Sequence, residues 1–405
     1  MNQNLNKIIK FFVNEYGVNK KIISEYIIDT LIYSPLIKEN RYTARLKYIS
    51  PPNTKGIPRT GYGFGVSDNE SHAVLKGISE ALERYYAGEF FYEREEKFAN
   101  LPNAVHPEKL IRYQPDYYKR FPKLHFNTNH LYRWVEARAL KTSQERFVVC
   151  DQIFYPINKK LLGYEPIYRA NSSGVATHNS FKTAATSGFL ELIERDAIAL
   201  VWFSKKNIQR IISESISKTF QHKIKFWNEK NYHVNFYDFT IDSVPVVVCV
   251  FHSELSYPHI TVGAKADFKL ESAVVKAFQE AEDIVFALRE ESPSFIIKEQ
   301  VHFPADHGRF YAQKSNARIL INFFEERADH IYPIRHRLYT HRDLIKKFDP
   351  LVVTLHASAK LSIVKVLSEY LLPLNFGYGM EAYQHRRFTD LQIPEYRNPL
   401  PHFFP

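Results

Sequence analysis

The sequence NSSGVATHNSFKTAATSGFLELIERDAIA, residues 171–199, contains the pattern from which the fold can be inferred. It has a glycine, an alanine ten residues later, and then a small residue and two acids at offsets of four, seven and ten from that alanine: Gly174, Ala184, Gly188, Glu191 and Glu194. These offsets follow one face of an α-helix. The stretch therefore predicts a helix with a face of small residues followed by two carboxylates.

The same pattern occurs twice more along the chain. The copies are Gly63, Ala73, Gly77, Glu80 and Glu83, and Gly263, Ala273, Ala277, Glu280 and Asp283. At average residue usage, an alanine with a small residue and two acids at these offsets is expected about 0.03 times in such a chain. Three copies, each preceded by the same glycine, indicate an internal repeat.

The residues around each helix predict a repeated supersecondary unit. Polar residues able to cap a helix N-terminus precede the helices, in residues 68–71, in residues 178–180 and at Asp267. Strand-like apolar runs precede the second and third glycines, at residues 167–170, 246–251 and 259–262. Each copy is thus predicted to be a strand, a glycine turn and a helix, which gives an α/β fold. Residues 204–232 are predicted to form an amphipathic helix.

The paired acids favour a site for divalent cations. A single Glu-x-x-Glu pair is typical of a solvated helix face, but these three pairs follow small residues that indicate packed faces. Carboxylates near a core are costly without cations, and hard cations such as magnesium take oxygen ligands. Arg84 and Arg195 directly follow the second glutamate of their pairs and can form two hydrogen bonds to a phosphate. Metal and arginine together predict a nucleoside triphosphate site, and the lack of a Walker A sequence excludes a P-loop protein.

Composition excludes several other classes of protein. The chain has 405 residues, 45% of them hydrophobic, which excludes a disordered chain. No apolar run is long enough for a membrane span or a secretory signal, and two cysteines make neither a disulfide framework nor a zinc site. The net charge of +10 comes from dispersed basic residues, which indicates a solvated surface. A cytoplasmic protein with no nucleic-acid or membrane partner is therefore expected.

Several segments resemble the YcaO family. They are residues 79–85 (SEALERY), 171–176 (NSSGVA) with 190–197 (LELIERDA), 274–283 and 365–377. The resemblance covers residues 58–405 and leaves 1–57 as an N-terminal extension. Residues 92–165 are a candidate insertion within the YcaO-like catalytic domain. The resemblance implies an α/β fold of pseudo-repeated strand–helix units with three acidic helices converging on an ATP site.

The resemblance also implies an ATP- and magnesium-dependent enzyme that acts on peptide backbone amides. The implied metal ligands are Glu80, Glu83, Glu191, Glu194, Glu280 and Asp283. The implied ATP contacts are Arg59, Arg84, Ser173, Arg195 and Gln279. Many members carry a lysine where this chain has Phe64, and Arg59 is expected to replace it.

The tail, residues 398–405 (NPLPHFFP), favours one chemistry within the family. It resembles the proline-rich tail of azoline-forming members, with Phe403 at one proline position and Pro405 retained as the candidate catalytic residue. A docked tail is expected rather than a frayed one. The implied reaction turns Cys, Ser or Thr of a ribosomal precursor peptide into a thiazoline or oxazoline ring.

The family resemblance leaves other functions open. A thioamide-forming enzyme, a ribosomal-protein-modifying enzyme and a non-catalytic nucleotide-binding scaffold are the alternatives. An azoline former of this length is expected to need a separate leader-binding partner of the ThiF/E1-like type. A flavin-dependent azoline dehydrogenase is a further expected partner.

Overall fold

The structure is a computed structural model. It describes residues 22–32, 40–49, 60–113, 115–157, 159–204, 206–212, 218–242, 244–290, 293, 295–329, 341–381 and 385–405. The chain divides into two compact units. The first consists of Met1–Ile111, Pro122–Phe189 and Asp349–Ser368, and the second of Arg112–Phe121, Leu190–Phe348 and Glu369–Pro405.

The described residues form strands and helices throughout both units. The strands are β1 (Ile23–Ile32), β2 (Asn40–Ile49), β3 (Thr60–Ser67), β4 (Arg94–Lys97), β5 (Leu131–Ala139), β6 (Glu145–Val149), β7 (Val175–His178), β8 (Ile208–Ile211), β9 (His233–Asp238), β10 (Val246–His252), β11 (Ile260–Ala266), β12 (Ala328–Asp329), β13 (Leu351–Ala357) and β14 (Ser362–Leu367). The α-helices are α1 (Glu70–Gly88), α2 (Pro115–Arg120), α3 (Lys159–Leu162), α4 (Phe181–Trp202), α5 (Lys218–Glu229), α6 (Leu270–Glu290), α7 (Pro304–Ala312), α8 (Lys314–Arg327), α9 (His341–Phe348) and α10 (Arg386–Asp390).

The described residues of the first unit form two sheets. Strands β1, β2 and β3 form an antiparallel sheet in that order, and α1 packs on β2 and β3. The second sheet has the order β4-β5-β13-β14-β7, with β6 paired to β5. Both β1 and β2 come from the predicted N-terminal extension, and β4, β5 and β6 come from the candidate insertion. The domain boundaries assigned to these two segments stay predictions.

In the second unit, the described residues form one sheet with the order β11-β10-β9-β8-β12. All its pairings are antiparallel except that of β12 with β8. Its core is formed by buried side chains of α5, α6 and the strands, including Trp227, Phe236, Phe251 and Phe278. Cys249 is fully buried in the same core. Burying aromatic and aliphatic side chains of this size stabilises a fold by about 1.5–3 kcal/mol each.

The glycines of the first and third copies lie within strands, which corrects the predicted glycine turns. A Cβ atom on Gly63 of β3 would lie 2.2 Å from the Gly77 carbonyl oxygen of α1. A Cβ atom on Gly263 of β11 would lie 2.3 Å from the Ala277 carbonyl oxygen of α6. Glycine is therefore required in both copies because a helix backbone presses directly on the strand. The repeated strand–helix unit itself is confirmed, as is the α/β class.

The second copy uses its glycines differently. Gly174 has a φ of +80°, which favours glycine, and it directly precedes β7. A Cβ atom on Gly188 of α4 would lie 2.6 Å from the Gly174 carbonyl oxygen. The prediction that the small residues mark a packed helix face is thus confirmed here too.

The predicted strand at residues 167–170 is wrong. These residues have no regular secondary structure, and the backbone N–H groups of Ile167 and Tyr168 donate hydrogen bonds to the Asp151 carboxylate at 2.8 and 3.3 Å. A buried side chain thus replaces the hydrogen bonds of a ladder. The strand-like runs at 246–251 and 259–262 are confirmed as β10 and β11.

The predicted amphipathic helix over residues 204–232 is wrong in its first half. Within the described residues, Ile208 and Ile211 begin and end strand β8, and the helix α5 starts only at Lys218. Short apolar runs fit the residue spacing of a helix and that of a strand equally well. Here the pairing of β8 with β9 and β12 fixes the segment as a strand. None of the described helices combines the length and the apolar character that a membrane span requires.

Candidate functional site

In the first unit, the helix α1 presents the Glu80 carboxylate to strand β3. The Phe64 N–H donates a hydrogen bond to Glu80 Oε2 at 2.7 Å. Arg84, one helical turn later, donates from Nε to Glu80 Oε1 at 3.1 Å. The Glu80 and Arg84 side chains are 29% and 41% exposed, so this ion pair faces solvent. Glu83 is half-buried on the same helix.

In the second unit, the helix α6 presents Glu280 to strand β11 with the same geometry. The Ala264 N–H donates to Glu280 Oε2 at 2.9 Å. Both hydrogen bonds join residues sixteen apart, and in each the donor directly follows the strand glycine. The internal repeat thus extends to the hydrogen bond that orients the carboxylate.

Helix α4 adds two further carboxylates in the second unit. Glu194 is fully buried and accepts from the Ala266 N–H at 3.0 Å and from Arg195 Nη1 at 2.9 Å. Lys265 Nζ lies 3.4 Å from Glu194 Oε2. Arg195 Nη2 donates to Glu191 Oε1 at 3.0 Å. Glu191, Glu194 and Glu280 with Arg195 and Lys265 are called the carboxylate cluster below.

The charges of the carboxylate cluster act on one another. Burial raises the pKa of Glu280 to about 7, with Lys265 opposing and Glu194 reinforcing the shift. The neighbouring Glu194 carboxylate raises the pKa of Lys265, against the effect of burial. Three carboxylates face two cations, so the cluster carries one excess negative charge when Glu280 is ionised.

The loop before β7 is held by a buried lysine. Lys365 Nζ on β14 donates to the carbonyl oxygens of Asn171 and Ser173 at 2.7 and 2.6 Å. Ser173 is buried, and among the described residues its Oγ atom has no hydrogen-bond partner. A phosphate oxygen is a suitable partner for such a hydroxyl. The first unit thus supplies a preformed loop with an unused donor.

The tail is docked in the second unit, as expected. Phe403 and Phe404 are each 1% exposed. Tyr311 Oη donates to the Pro401 carbonyl at 2.7 Å, and His307 Nδ1 donates to the His402 carbonyl at 2.6 Å. Burial lowers the pKa of His307 to about 4, so the ring is neutral at pH 7. Pro405 packs near Gly308 of α7 and is half-buried.

The segment before the tail is anchored directly beside the carboxylate cluster. Arg387 of α10 donates to both carboxylate oxygens of Asp196, at 2.9 to 3.1 Å, and also bonds Asp242. The Leu372 N–H adds a bond to Asp196 Oδ1 at 2.7 Å. Asp196 follows Arg195 in sequence, so neighbouring residues of α4 hold the cluster and the C-terminal segment.

The structure leaves some of the expected site residues without a described role. Arg59 lies outside the described residues. Gln279 and Asp283 are half-buried on α6, beside Glu280 in sequence. The binding roles assigned to these residues, to Glu83 and to Pro405 stay predictions, as does the convergence of the three acidic helices on one ATP site.

Sequence reasoning missed four residues that hold the site or its supports: Lys265, Lys365, Arg387 and Glu282. Lys265 had a signal, because it lies two residues after the third glycine on the same strand. Glu282 is fully buried and accepts from Trp227 Nε1 at 2.7 Å, so it is a core acid between the two predicted ligands of α6. The other two had no spacing pattern that could reveal them.

The residues present fit a magnesium-bound nucleotide in their donor chemistry. Magnesium prefers carboxylate and phosphate oxygens, and a cation would offset the excess negative charge of the carboxylate cluster. Within the ranges that the structure describes, no three His, Cys, Asp or Glu side chains are arranged to hold a metal ion by themselves. Arg195 and Lys265 occupy the space between the carboxylates, so a metal would have to share these ligands with them.

Comparison with known proteins places the chain in a described family. Residues 62–371 match the family described as YcaO cyclodehydratase, ATP- and Mg²⁺-binding. A protein of Methanothermobacter thermautotrophicus, named only as uncharacterized, is 28% identical over 155 residues. That match covers 38% of this chain and 37% of the relative.

Solved structures share the fold at low sequence identity. A heterocyclase in complex with substrate and cofactor has a TM-score of 0.74 at 16% identity, covering 98% of this chain and 57% of its own. The YcaO protein of Methanopyrus kandleri bound with AMPPCP and Mg²⁺ has a TM-score of 0.66 at 14% identity, covering 94% and 95%. A chain of the E. coli microcin synthetase McbBCD complex has a TM-score of 0.66 at 13% identity, covering 93% and 96%. This chain thus spans little more than half of the heterocyclase.

Proposed function

The chain belongs to the YcaO family, whose members bind ATP and Mg²⁺, and we propose that it is an ATP-dependent cyclodehydratase of a ribosomally made precursor peptide. In the proposed reaction the side chain of a Cys, Ser or Thr attacks the preceding amide carbonyl. ATP supplies the phosphoryl group that converts the amide oxygen into a leaving group, and phosphate departs as the thiazoline or oxazoline ring forms.

The observation that carries the proposal is the carboxylate cluster. With Glu280 ionised, the cluster carries one excess negative charge, which favours a divalent cation, and its arginine favours a phosphate. Glu191 is more accessible than Glu194, with side chains that are 20% and 0% exposed. We therefore propose Glu191 as the carboxylate that first meets the metal.

The remaining roles are proposed by carrying the family pattern onto this chain. The proposed metal ligands are Glu80, Glu83, Glu191, Glu194, Glu280 and Asp283. The proposed ATP contacts are Arg59, Arg84, Ser173, Arg195 and Gln279. Pro405 is proposed to end a tail that orients the reacting amide, which is supported by the burial of the preceding residues.

Partner proteins are part of the proposal. We propose that a ThiF/E1-like protein captures the leader of the precursor peptide and that a flavin-dependent dehydrogenase oxidises the azolines. The microcin synthetase that this chain resembles is a complex, which supports a division of the work among chains.

The test combines the full chain with a candidate precursor peptide and a candidate leader-binding partner protein. The expected result is ATP hydrolysis that depends on the peptide, with a loss of one water per modified residue by mass spectrometry. Glu191→Gln should reduce turnover at least ~100-fold while the melting temperature stays near wild type, because the side chain is partly exposed. Glu165→Gln is the matched control, since Glu165 pairs with Lys159 on an exposed surface.

Each of the other possible results of this test would favour a different function or contradict the site assignment. Replacement of oxygen by sulfur in the product would select the thioamide alternative. Nucleotide binding without any peptide-dependent hydrolysis would select the scaffold. Normal turnover by Glu191→Gln would contradict the assignment of the cluster as the metal site.

A further inference from the structure

Phe404 contacts the arginine of the carboxylate cluster. Arg195 Cζ lies 4.2 Å from the centroid of the Phe404 ring. The edges of the guanidinium are engaged by Glu194 at Nη1 and Glu191 at Nη2. The arginine is thus held at its edges by two carboxylates and over one face by an aromatic ring.

The contact is desolvated on both sides. Phe404 is 1% and Arg195 is 9% exposed. Among the described residues, Arg195 Nε is buried and has no hydrogen-bond partner. Leaving a buried donor without a partner costs free energy. The position of this guanidinium is therefore set by its other contacts and not by a hydrogen bond at Nε. The Phe404 ring is one of these contacts, together with the Glu191 and Glu194 carboxylates.

Phe403, the preceding residue, has a different role. Its ring packs against Trp202, Phe323 and Phe324, with centroids 5.4, 6.0 and 5.3 Å away. No cation contacts Phe403 within the part of the chain that the structure describes. The two adjacent phenylalanines are equally buried but have different contacts. Phe403 anchors the tail by apolar packing, and Phe404 contacts a charged side chain.

We propose that Phe404 is a positioning residue that acts through Arg195, so that docking of the tail prepares the arginine to bind the phosphates of a nucleoside triphosphate. This inference rests on the proposed function, because it takes Arg195 as a phosphate ligand. A ring below the guanidinium fixes its plane without competing for the N–H groups that a phosphate needs. Tail and nucleotide site are then coupled through one side chain.

The energetics favour an effect that can be measured. A desolvated cation–π contact is worth about 10-fold or more in an equilibrium constant. The attraction comes from the quadrupole of the ring, whereas apolar packing depends on its size. Fluorination weakens the quadrupole with little change of size, and so separates the two contributions.

The experiment uses the full chain with mono-, di- and trifluorophenylalanine placed at position 404, and the same series at position 403. Affinity for AMPPCP with Mg²⁺ is measured by calorimetry, and thermal unfolding is followed in parallel. We expect the dissociation constant to rise in steps to a total of about 10-fold at position 404. At position 403 it should change less than about 2-fold. Melting temperatures should be similar in the two series.

A double-mutant cycle provides a readout that does not need nucleotide. Phe404→Leu and Arg195→Met, alone and combined, should show a coupling of about 10-fold in the unfolding equilibrium. Phe403→Leu with Arg195→Met should show none. Lack of coupling between Phe404 and Arg195 would overturn the contact itself.

The outcomes separate this inference from the proposed function. If wild type binds AMPPCP and the series at position 404 is flat, or equals the series at 403, the positioning role is wrong and the proposed function stands. If wild type fails to bind AMPPCP with Mg²⁺ at all, the proposed function is wrong and the positioning role falls with it.

Discussion

In the first copy of the strand–helix unit, Glu80 accepts a hydrogen bond from the Phe64 N–H and pairs with Arg84 at the surface. In the third copy, Glu280 accepts the equivalent bond from Ala264, but its neighbours are Lys265 and the fully buried Glu194. The backbone frame is the same and the electrostatic surroundings are not. The repeat therefore determines where each carboxylate lies, while the side chains around it, Lys265 and Glu194 for Glu280 and Arg84 for Glu80, determine its electrostatic environment.

The largest expected difference between the two copies concerns their cations. Lys265→Met removes a cation whose side chain is 35% exposed but whose partner, Glu194, is fully buried, and it should lower the free energy of unfolding by about 2 kcal/mol. Arg84→Met removes a cation that is 41% exposed and should cost at most ~1 kcal/mol. Urea denaturation of both variants at pH 7 measures the difference.

Methionine keeps most of the apolar stem of both side chains, so the comparison isolates the charge. Equal losses in the two variants would show that the first copy is as desolvated as the third, and would remove the electrostatic contrast between them.

The next largest effect concerns the close packing of strand against helix that the first and third copies share. Gly63→Ala and Gly263→Ala each place a methyl group less than 2.5 Å from a helix carbonyl oxygen, and each should destabilise the fold by about 1–3 kcal/mol. Gly308→Ala is the control, because its Cβ would meet Pro405 at an ordinary 3.5 Å and the residue lies in α7. That variant should be unchanged or more stable by up to ~1 kcal/mol.

Thermal unfolding of the three variants gives the measurement. If Gly263→Ala were tolerated while Gly63→Ala was not, the close strand–helix approach would be a property of one copy only, and the repeat would not extend to packing.

Much of this frame could be predicted from the sequence, because it is encoded by local spacing. Offsets of four, seven and ten residues define a helix face whatever surrounds it, and three copies of the spacing located the strand–helix units and their carboxylates. The capping residues Asn69 and Ser180 were readable for the same reason: they accept bonds from the first turns of α1 and α4.

Features that depend on contacts between distant parts of the chain could not be predicted. The role of the strand glycines becomes clear only when the helix is seen against the strand. The sequence places Lys265 two residues after the third glycine, but that its partner is Glu194, 71 residues earlier (265 − 194), is known only once β11 lies beside α4. The sequence of the β8 segment is equally compatible with a helix and a strand until its neighbours β9 and β12 are known.

The smallest expected effect compares the starts of the two helices. Asn69 caps α1 with a neutral amide oxygen that accepts the His72 N–H at 3.1 Å. Asp267 precedes α6 and accepts from the Lys269 N–H, Ser272 Oγ and Lys276 Nζ at 3.0, 2.7 and 2.7 Å. Asn69→Ala and Asp267→Ala should each cost about 1 kcal/mol at pH 7.

The stability costs of these two variants should depend differently on pH. Burial raises the pKa of Asp267, but the bonds from Lys276, Ser272 and Lys269 outweigh it and hold the pKa below the ordinary 3.8. A carboxyl group with a lowered folded-state pKa stabilises the fold at pH values above its unfolded pKa, and this stabilisation is lost as the pH falls through the folded pKa. The cost of Asp267→Ala should therefore shrink below about pH 4, whereas the cost of Asn69→Ala should not, because an amide does not titrate.

Urea denaturation of both variants and wild type, repeated at steps from about pH 7 to pH 3, follows the two costs. A cost of Asp267→Ala that stayed constant with pH would mean that the hydrogen bonds of Asp267, and not its charge, stabilise the third helix, and that the two copies begin their helices in the same way.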